Sequence, residues 1–116
     1  MRRCCYDGDV GVDSDKIKEL ARLFKVLSDE TRLRLLVLLA DQGEEGALCV
    51  GALAMNLGIT QSAVSQHLAV LRAAGLVVDE RRGYFVHYRL NRARLGRWRE
   101  QVQAALGEDL ARALVG

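Results

Sequence analysis

Proline is absent from all 116 residues, aromatic side chains make up only 5% of them, and there are only three cysteines. With no proline, no low-complexity segment and no internal repeat, the chain reads as one domain spanning 1–116. No apolar run is long enough to span a bilayer, and the opening MRRCCYDGDV lacks the apolar stretch of a secretion signal. A soluble cytoplasmic protein with no membrane partner is therefore expected. An odd number of cysteines leaves one thiol outside any internal disulfide framework, and the adjacent Cys4 and Cys5 bond to each other only with severe strain. In a reducing compartment all three are thiols or thiolates, available for metal binding, for redox chemistry or for neither.

Acidic side chains are missing from one stretch in particular. Between Arg81 and Arg99 there are seven arginines, and the next acid after Glu80 is Glu100. The whole chain carries a net charge of only +2, so the excess is local. An arginine-rich surface suits contact with phosphates, each of which releases bound counterion when neutralised, but it equally suits an ordinary solvated face.

What is present is helical periodicity. Ile17, Leu20, Leu23, Phe24 and Leu27 recur at helical spacing behind Ser14, a candidate N-cap. A second helix starts at Ser28 or Asp29 and carries Leu33, Leu36, Val37, Leu39 and Ala40; being apolar on most sides, it is expected at the centre of the core. CVGALAMNLG reads as a short helix with Val50, Leu53, Ala54 and Leu57 inward, ended by Gly58. A three-residue turn leads to TQSAVSQHLAVLRAAG, with Thr60 as N-cap and Gly75 as the stop. Two helices joined by a tight, glycine-bearing turn fit a helix-turn-helix.

On that last helix Val64, Leu68 and Leu71 form one stripe, and Ser62, Ser65, Gln66 and Ala69 lie broadly opposite, with His67 at the boundary. Short hydrogen-bonding side chains near a helix N-terminus allow close approach to base edges in a major groove. LVVDERRGYFVHYRL then reads as two strands around a turn at Arg81–Arg82–Gly83, with Tyr84, Val86, Tyr88 and Leu90 on one face of the second strand. The final segment from Asn91 places Leu95, Trp98, Val102, Leu106, Leu110 and Leu114 along one helical stripe, expected to pair with a partner chain rather than with its own domain.

FKVLSDETRLRLLVLLA, LCVGALA, TQSAVSQHLAVLRAAGLV and RRGYFVHYRL together resemble the ArsR/SmtB family of metal-sensing transcriptional repressors, over residues 17–91 and in the family's order. The resemblance implies a mainly α winged helix-turn-helix homodimer, α-α-α-α-β-β-α, held by its first and last helices. Such a dimer binds inverted-repeat operator DNA and releases it on binding a metal or metalloid. Residues 1–13 would form a flexible cysteine-bearing tail and 91–116 the dimerisation helix. Thr60, Gln61, Ser62, Ser65, Gln66 and His67 would lie against DNA, with Arg81 and Arg82 on the wing.

The family's third-helix inducer site is usually written as two cysteines around a valine; in LCVGAL Cys49 matches the first and Gly51 replaces the second. The zinc-type site between the terminal helices is not expected, because no histidine follows Asn91. The resemblance to members with two tail cysteines implies a site of Cys4, Cys5 and Cys49, the tail pair reaching from the other protomer. Three soft sulfurs suit trivalent arsenite or antimonite first, then lead or mercury, and cadmium if Asp7, Asp9 or water assists. A thiol-redox switch through the same cysteines is the alternative. His67 and His87 are expected to lie away from Cys49, so no fourth ligand is foreseen; with no base beside a cysteine and no phosphate-cradling glycine loop, catalysis is not expected.

Overall fold

The computed structural model describes residues 14–43 and 46–107. Its elements run α1 (Ser14–Leu27), α2 (Glu30–Ala40), β1 (Leu48–Cys49), α3 (Val50–Leu57), α4 (Gln61–Ala73), β2 (Val77–Arg82), β3 (Phe85–Leu90) and α5 (Arg92–Leu106). None of the helices among the described residues is long and apolar enough to cross a membrane. The tail with Cys4 and Cys5 and the stripe positions Leu110 and Leu114 lie outside the described residues.

Local chemistry explains most boundaries. Asp29 caps α2 by accepting from the Arg32 backbone N–H at 3.1 Å, which resolves the choice between Ser28 and Asp29. Gly58, at φ +68°, ends α3 and donates to the Ala54 carbonyl at 2.9 Å. After α4, Gly75 turns left-handed at φ +79°; the Leu76 N–H then reaches back to the Leu71 carbonyl at 3.0 Å, and the Leu76 side chain is fully buried. Those three features together form a Schellman stop. Leu76 also accepts from the Asn91 N–H at 2.9 Å, which fixes the start of α5 beside the start of β2.

The core gathers Leu35, Leu39, Leu53, Val64, Leu68, Leu71, Leu76 and Val77, each 1% exposed or less. Burying each leucine contributes roughly 1.5–3 kcal/mol, so α2, α3, α4 and the hairpin are held together as one body. The apolar positions of α4 fall where the periodicity places them: Val64, Leu68 and Leu71 are all inside. On α2 the pattern misleads. Leu35 and Leu39 are the buried pair, while Leu33 and Val37 stand 46% and 61% exposed, because neighbouring elements cover only one side of this eleven-residue helix.

Two further departures matter for the site. A two-residue strand, β1, precedes α3 and pairs antiparallel with β3, making a three-stranded sheet in the order β1-β3-β2. Cys49 therefore belongs to a strand and is the N-cap residue of α3, rather than lying on the helix itself. The last helix also packs into its own chain, contrary to expectation. Val102 is buried with Leu20 of α1, and Trp98 touches both this small cluster and the main core. The Phe24 and Trp98 rings meet edge-on with centroids 5.4 Å apart.

Candidate DNA-reading surface and thiol site

The α3–turn–α4 unit supplies the first surface. Thr60 caps α4, its hydroxyl accepting from the Ala63 N–H at 3.1 Å. Capping leaves Gln61, Ser62, Ser65 and Gln66 exposed on the face opposite Val64, Leu68 and Leu71. This face has short polar side chains and no acid, and its free N-terminal end favours anions. It is a face that can enter a groove.

His67 differs from its neighbours. It is half-buried, and its Nδ1 accepts from Arg32 Nε at 3.4 Å. Arg32 in turn donates to the Val26 carbonyl at the end of α1 at 2.9 Å. One guanidinium thus joins the α1–α2 corner to α4. With Nδ1 occupied as an acceptor, the neutral ring carries its proton on Nε2. Asp29 lies at the same corner. Its carboxyl is held below the usual aspartate value, first by the Arg32 backbone N–H and, more weakly, by the positive charge of Arg32.

The wing is built differently from the sequence expectation. Its turn is Gly83–Tyr84, with Gly83 at φ +66°, so Arg81 and Arg82 are the last residues of β2 rather than the loop. Glycine in the first position of a two-residue hairpin loop is the chemistry of a type II′ turn. Tyr84 consequently leaves the inner face and stands 96% exposed, beside Phe85 at 65%. Sequence reasoning missed this aromatic tip; the glycine-first dipeptide was its signal. Arg82 is ion-paired with Glu80, which also lies 3.8 Å from Arg89. Of the seven arginines, Arg94 is tied to Glu19 at 2.8 Å and Arg92 donates to the Ala40 carbonyl at 3.3 Å. Much of the arginine excess is thus engaged within the chain.

The Cys49 thiol is half-buried and free. A Cβ at Gly51 would lie 4.0 Å from its Sγ and 3.6 Å from Gln61 Nε2, so Gly51 is near both the thiol and the side chain of the first residue of α4. The register then corrects an expectation: Cys49 is directly opposite His87 across the β1–β3 ladder. The two-residue strand that brings them together is too short to show in a periodicity. Cys4 and Cys5 cannot be placed beside them, since both lie outside the described residues.

A helix-turn-helix with a two-stranded wing and a helical brace defines a winged helix-turn-helix protein. The family model described as "Bacterial regulatory protein, arsR family" matches residues 29–78. The chain is 49% identical over 70 residues to the "Arsenical resistance operon repressor" of Escherichia coli (strain K12), covering 60% of this chain and 57% of that protein. Against the "HTH-type transcriptional regulator CmtR" of Mycobacterium bovis it is 46% identical over 91 residues, covering 78% of this chain and 74% of that one. The solved "ArsR-like Transcriptional Regulator from Rhodococcus sp. RHA1" superposes with a TM-score of 0.69 at 31% identity, over 87% of this chain and 91% of the other. The chain belongs to the ArsR family. It spans little more than half the length of the arsenical-resistance repressor.

Proposed function

We propose that this protein is a cytoplasmic, homodimeric transcriptional repressor that grips an inverted-repeat operator through α4 and releases it when a thiophilic metal or metalloid binds Cys4, Cys5 and Cys49. The observation that carries this reading is the junction of two features. The reading helix presents Ser62, Ser65 and Gln66 outward, and the Cys49 thiol sits at the N-cap of the helix that precedes it. An ion held at Cys49 therefore acts on the helix-turn-helix itself. Two reading helices must keep a separation of roughly 34 Å to occupy both half-sites. An ion that favours a different arrangement lowers operator affinity, and operator lowers ion affinity by the same factor, typically about 1–3 kcal/mol.

Within this reading Ser62, Ser65, Gln66 and His67 discriminate bases, Thr60 and Gln61 approach the backbone, and Arg81 and Arg82 add electrostatic affinity. Trivalent arsenite and antimonite are the first candidates, since three sulfurs complete their coordination. The similarity to an arsenical-resistance repressor supports that choice, and cadmium and lead stand second because they too are thiophilic. The test is operator release titrated in parallel with arsenite, antimonite, lead, cadmium, zinc and peroxide. Release by arsenite that is lost in Cys49→Ser, with DNA binding retained, supports the reading. Full induction of the Cys49→Ser protein sinks it, and release by peroxide alone replaces it with a redox switch.

A further inference from the structure

We infer that Tyr84, with Phe85 beside it, is a second specificity element for DNA: an aromatic wedge that presses on a base step flanking the half-site and selects steps that unstack easily. The inference deepens the repressor reading and rests on it for the duplex. The last rung of the β2–β3 ladder joins Arg82 to Phe85, and only Gly83 and Tyr84 lie beyond it. Tyr84 is 96% exposed and Phe85 65%, and a Cβ at Gly83 would meet nothing within 4 Å, so the tip stands clear of the body. A single exposed apolar side chain needs no explanation. Two adjacent rings at the end of a paired hairpin make a patch, and patches rimmed by polar residues mark interaction sites.

Charge and position make the partner a duplex. Arg82, on the same face as Phe85, is held by Glu80, its Nε donating to the carboxylate at 2.9 Å. The extremity is thereby left aromatic rather than cationic. Arg81, on the opposite face, has no ion-pair or hydrogen-bond partner among the described residues. A protein partner closing over the tip would have to bury that guanidinium unpaired, whereas a phosphate pairs with it. The wing is also rooted beside the start of α4. His87, two residues after Phe85, lies opposite Cys49, and Gly51 adjoins both the Cys49 thiol and Gln61 Nε2. At about 3.4 Å per residue, Tyr84 projects roughly 10 Å along β3 from that junction. A major groove is about 12 Å wide, so a tip at this reach meets the duplex just outside the groove that α4 occupies.

An aromatic ring reads DNA through deformation. Apolar side chains set against base steps partly unstack them and bend the duplex. The cost depends on the step: pyrimidine–purine steps such as TA and CA yield readily, whereas A-tracts are stiff. Tyr84 thus gives preference at positions that no hydrogen bond from α4 reaches. Arg81 beside it contributes charge, which is blind to sequence.

Duplexes selected from a random pool by the full chain supply the probe. Their half-sites are then kept constant while the flanking step is changed among TA, CA, AA and GC, with 2-aminopurine placed at the step. The parent should bind the TA and CA forms about five-fold or more tightly than the AA form, and 2-aminopurine emission should rise on binding. Tyr84→Ala should lose both the preference and the emission change with its salt slope unaltered, since no cation is removed, whereas Tyr84→Phe should keep them. Arg81→Ala should lower the slope and keep the preference. A flank preference that persists in Tyr84→Ala, or is absent from the parent, overturns the wedge and leaves reading by α4 standing. A selection that recovers no preferred sequence removes the repressor reading and the wedge with it. Weaker self-association of Tyr84→Ala with unchanged DNA binding assigns the tip to a second copy and also overturns the wedge.

Discussion

Asp29 shows how a single side chain does two jobs at a corner. Its carboxylate closes the first turn of α2 by accepting from the Arg32 N–H, and that same bond holds its pKa below the ordinary value. A group whose folded pKa is depressed contributes stability that is present above its unfolded pKa and is lost as pH falls through the folded one. Asn is an equally good cap but carries no charge. The melting temperature of Asp29→Asn should therefore lie below that of the parent at neutral pH, with the gap closing as pH falls through and below the usual aspartate range. Thermal scans from pH 7 to pH 3 check this, and a gap that is constant with pH refutes the charged cap. At this scale the sequence was informative where a residue acts on its own chain neighbours. Asp29, Gly58, Thr60 and Gly75 were all legible, because caps and left-handed glycines act within four residues. His87 against Cys49 was not, because only a two-residue strand and a long-range register join them.

At the scale of elements, two links would set how α4 and the wing meet DNA in the proposed complex. Arg32 is a positioning residue: it holds His67 on α4 and the Val26 carbonyl at the end of α1. Arg32→Met keeps the apolar stem but releases the imidazole, so discrimination between operator and random DNA should fall by about ten-fold, with Arg32→Lys restoring part of it. The nitrogen-15 shifts of the His67 ring should also move from the Nε2–H form towards a tautomer mixture. Unchanged ring shifts would show that the contact has no role. In the wing, Glu80 neutralises Arg82 and approaches Arg89. Glu80→Gln should raise affinity for operator and random DNA alike and steepen the salt dependence by about one unit, because each freed cation can displace about one counterion. Arg81→Ala should do the reverse. Salt titrations on both DNAs distinguish the two, and a loss confined to operator in Arg81→Ala would show base reading by the wing. The helix order and the hairpin were visible as periodicity. The turn falls at Gly83–Tyr84 rather than Arg81–Arg82–Gly83, so β3 begins at Phe85 and Tyr84 belongs to the tip, while Tyr88 and Leu90 keep their expected face against the core.

For the whole molecule, the question is which apolar surface is left for a second copy. Phe24 meets Trp98 and Leu20 meets Val102, so α1 and α5 run antiparallel, and Ile17 and Leu106 fall towards the same end of the pair. Trp98 and Val102 are consumed by the chain's own packing, whereas Ile17, Phe24 and Leu106 remain 45%, 39% and 41% exposed. Apolar spacing alone could not separate these two groups, since all of them lie on helical stripes. The proposed dimer accordingly predicts different fates for them. Ile17→Glu combined with Leu106→Glu should give a folded monomer at micromolar concentration, with near-parental helicity and operator affinity reduced at least ten-fold, because one reading helix cannot occupy two half-sites. Trp98→Ala should instead lower the stability of the fold itself by about 3 kcal/mol, since it opens space between the two apolar clusters. Sedimentation of both variants, paired with thermal melts, tests the distinction. A double variant that stays dimeric would move the interface elsewhere, and the exposed Leu33 and Val37 on α2 are then the next surface to charge.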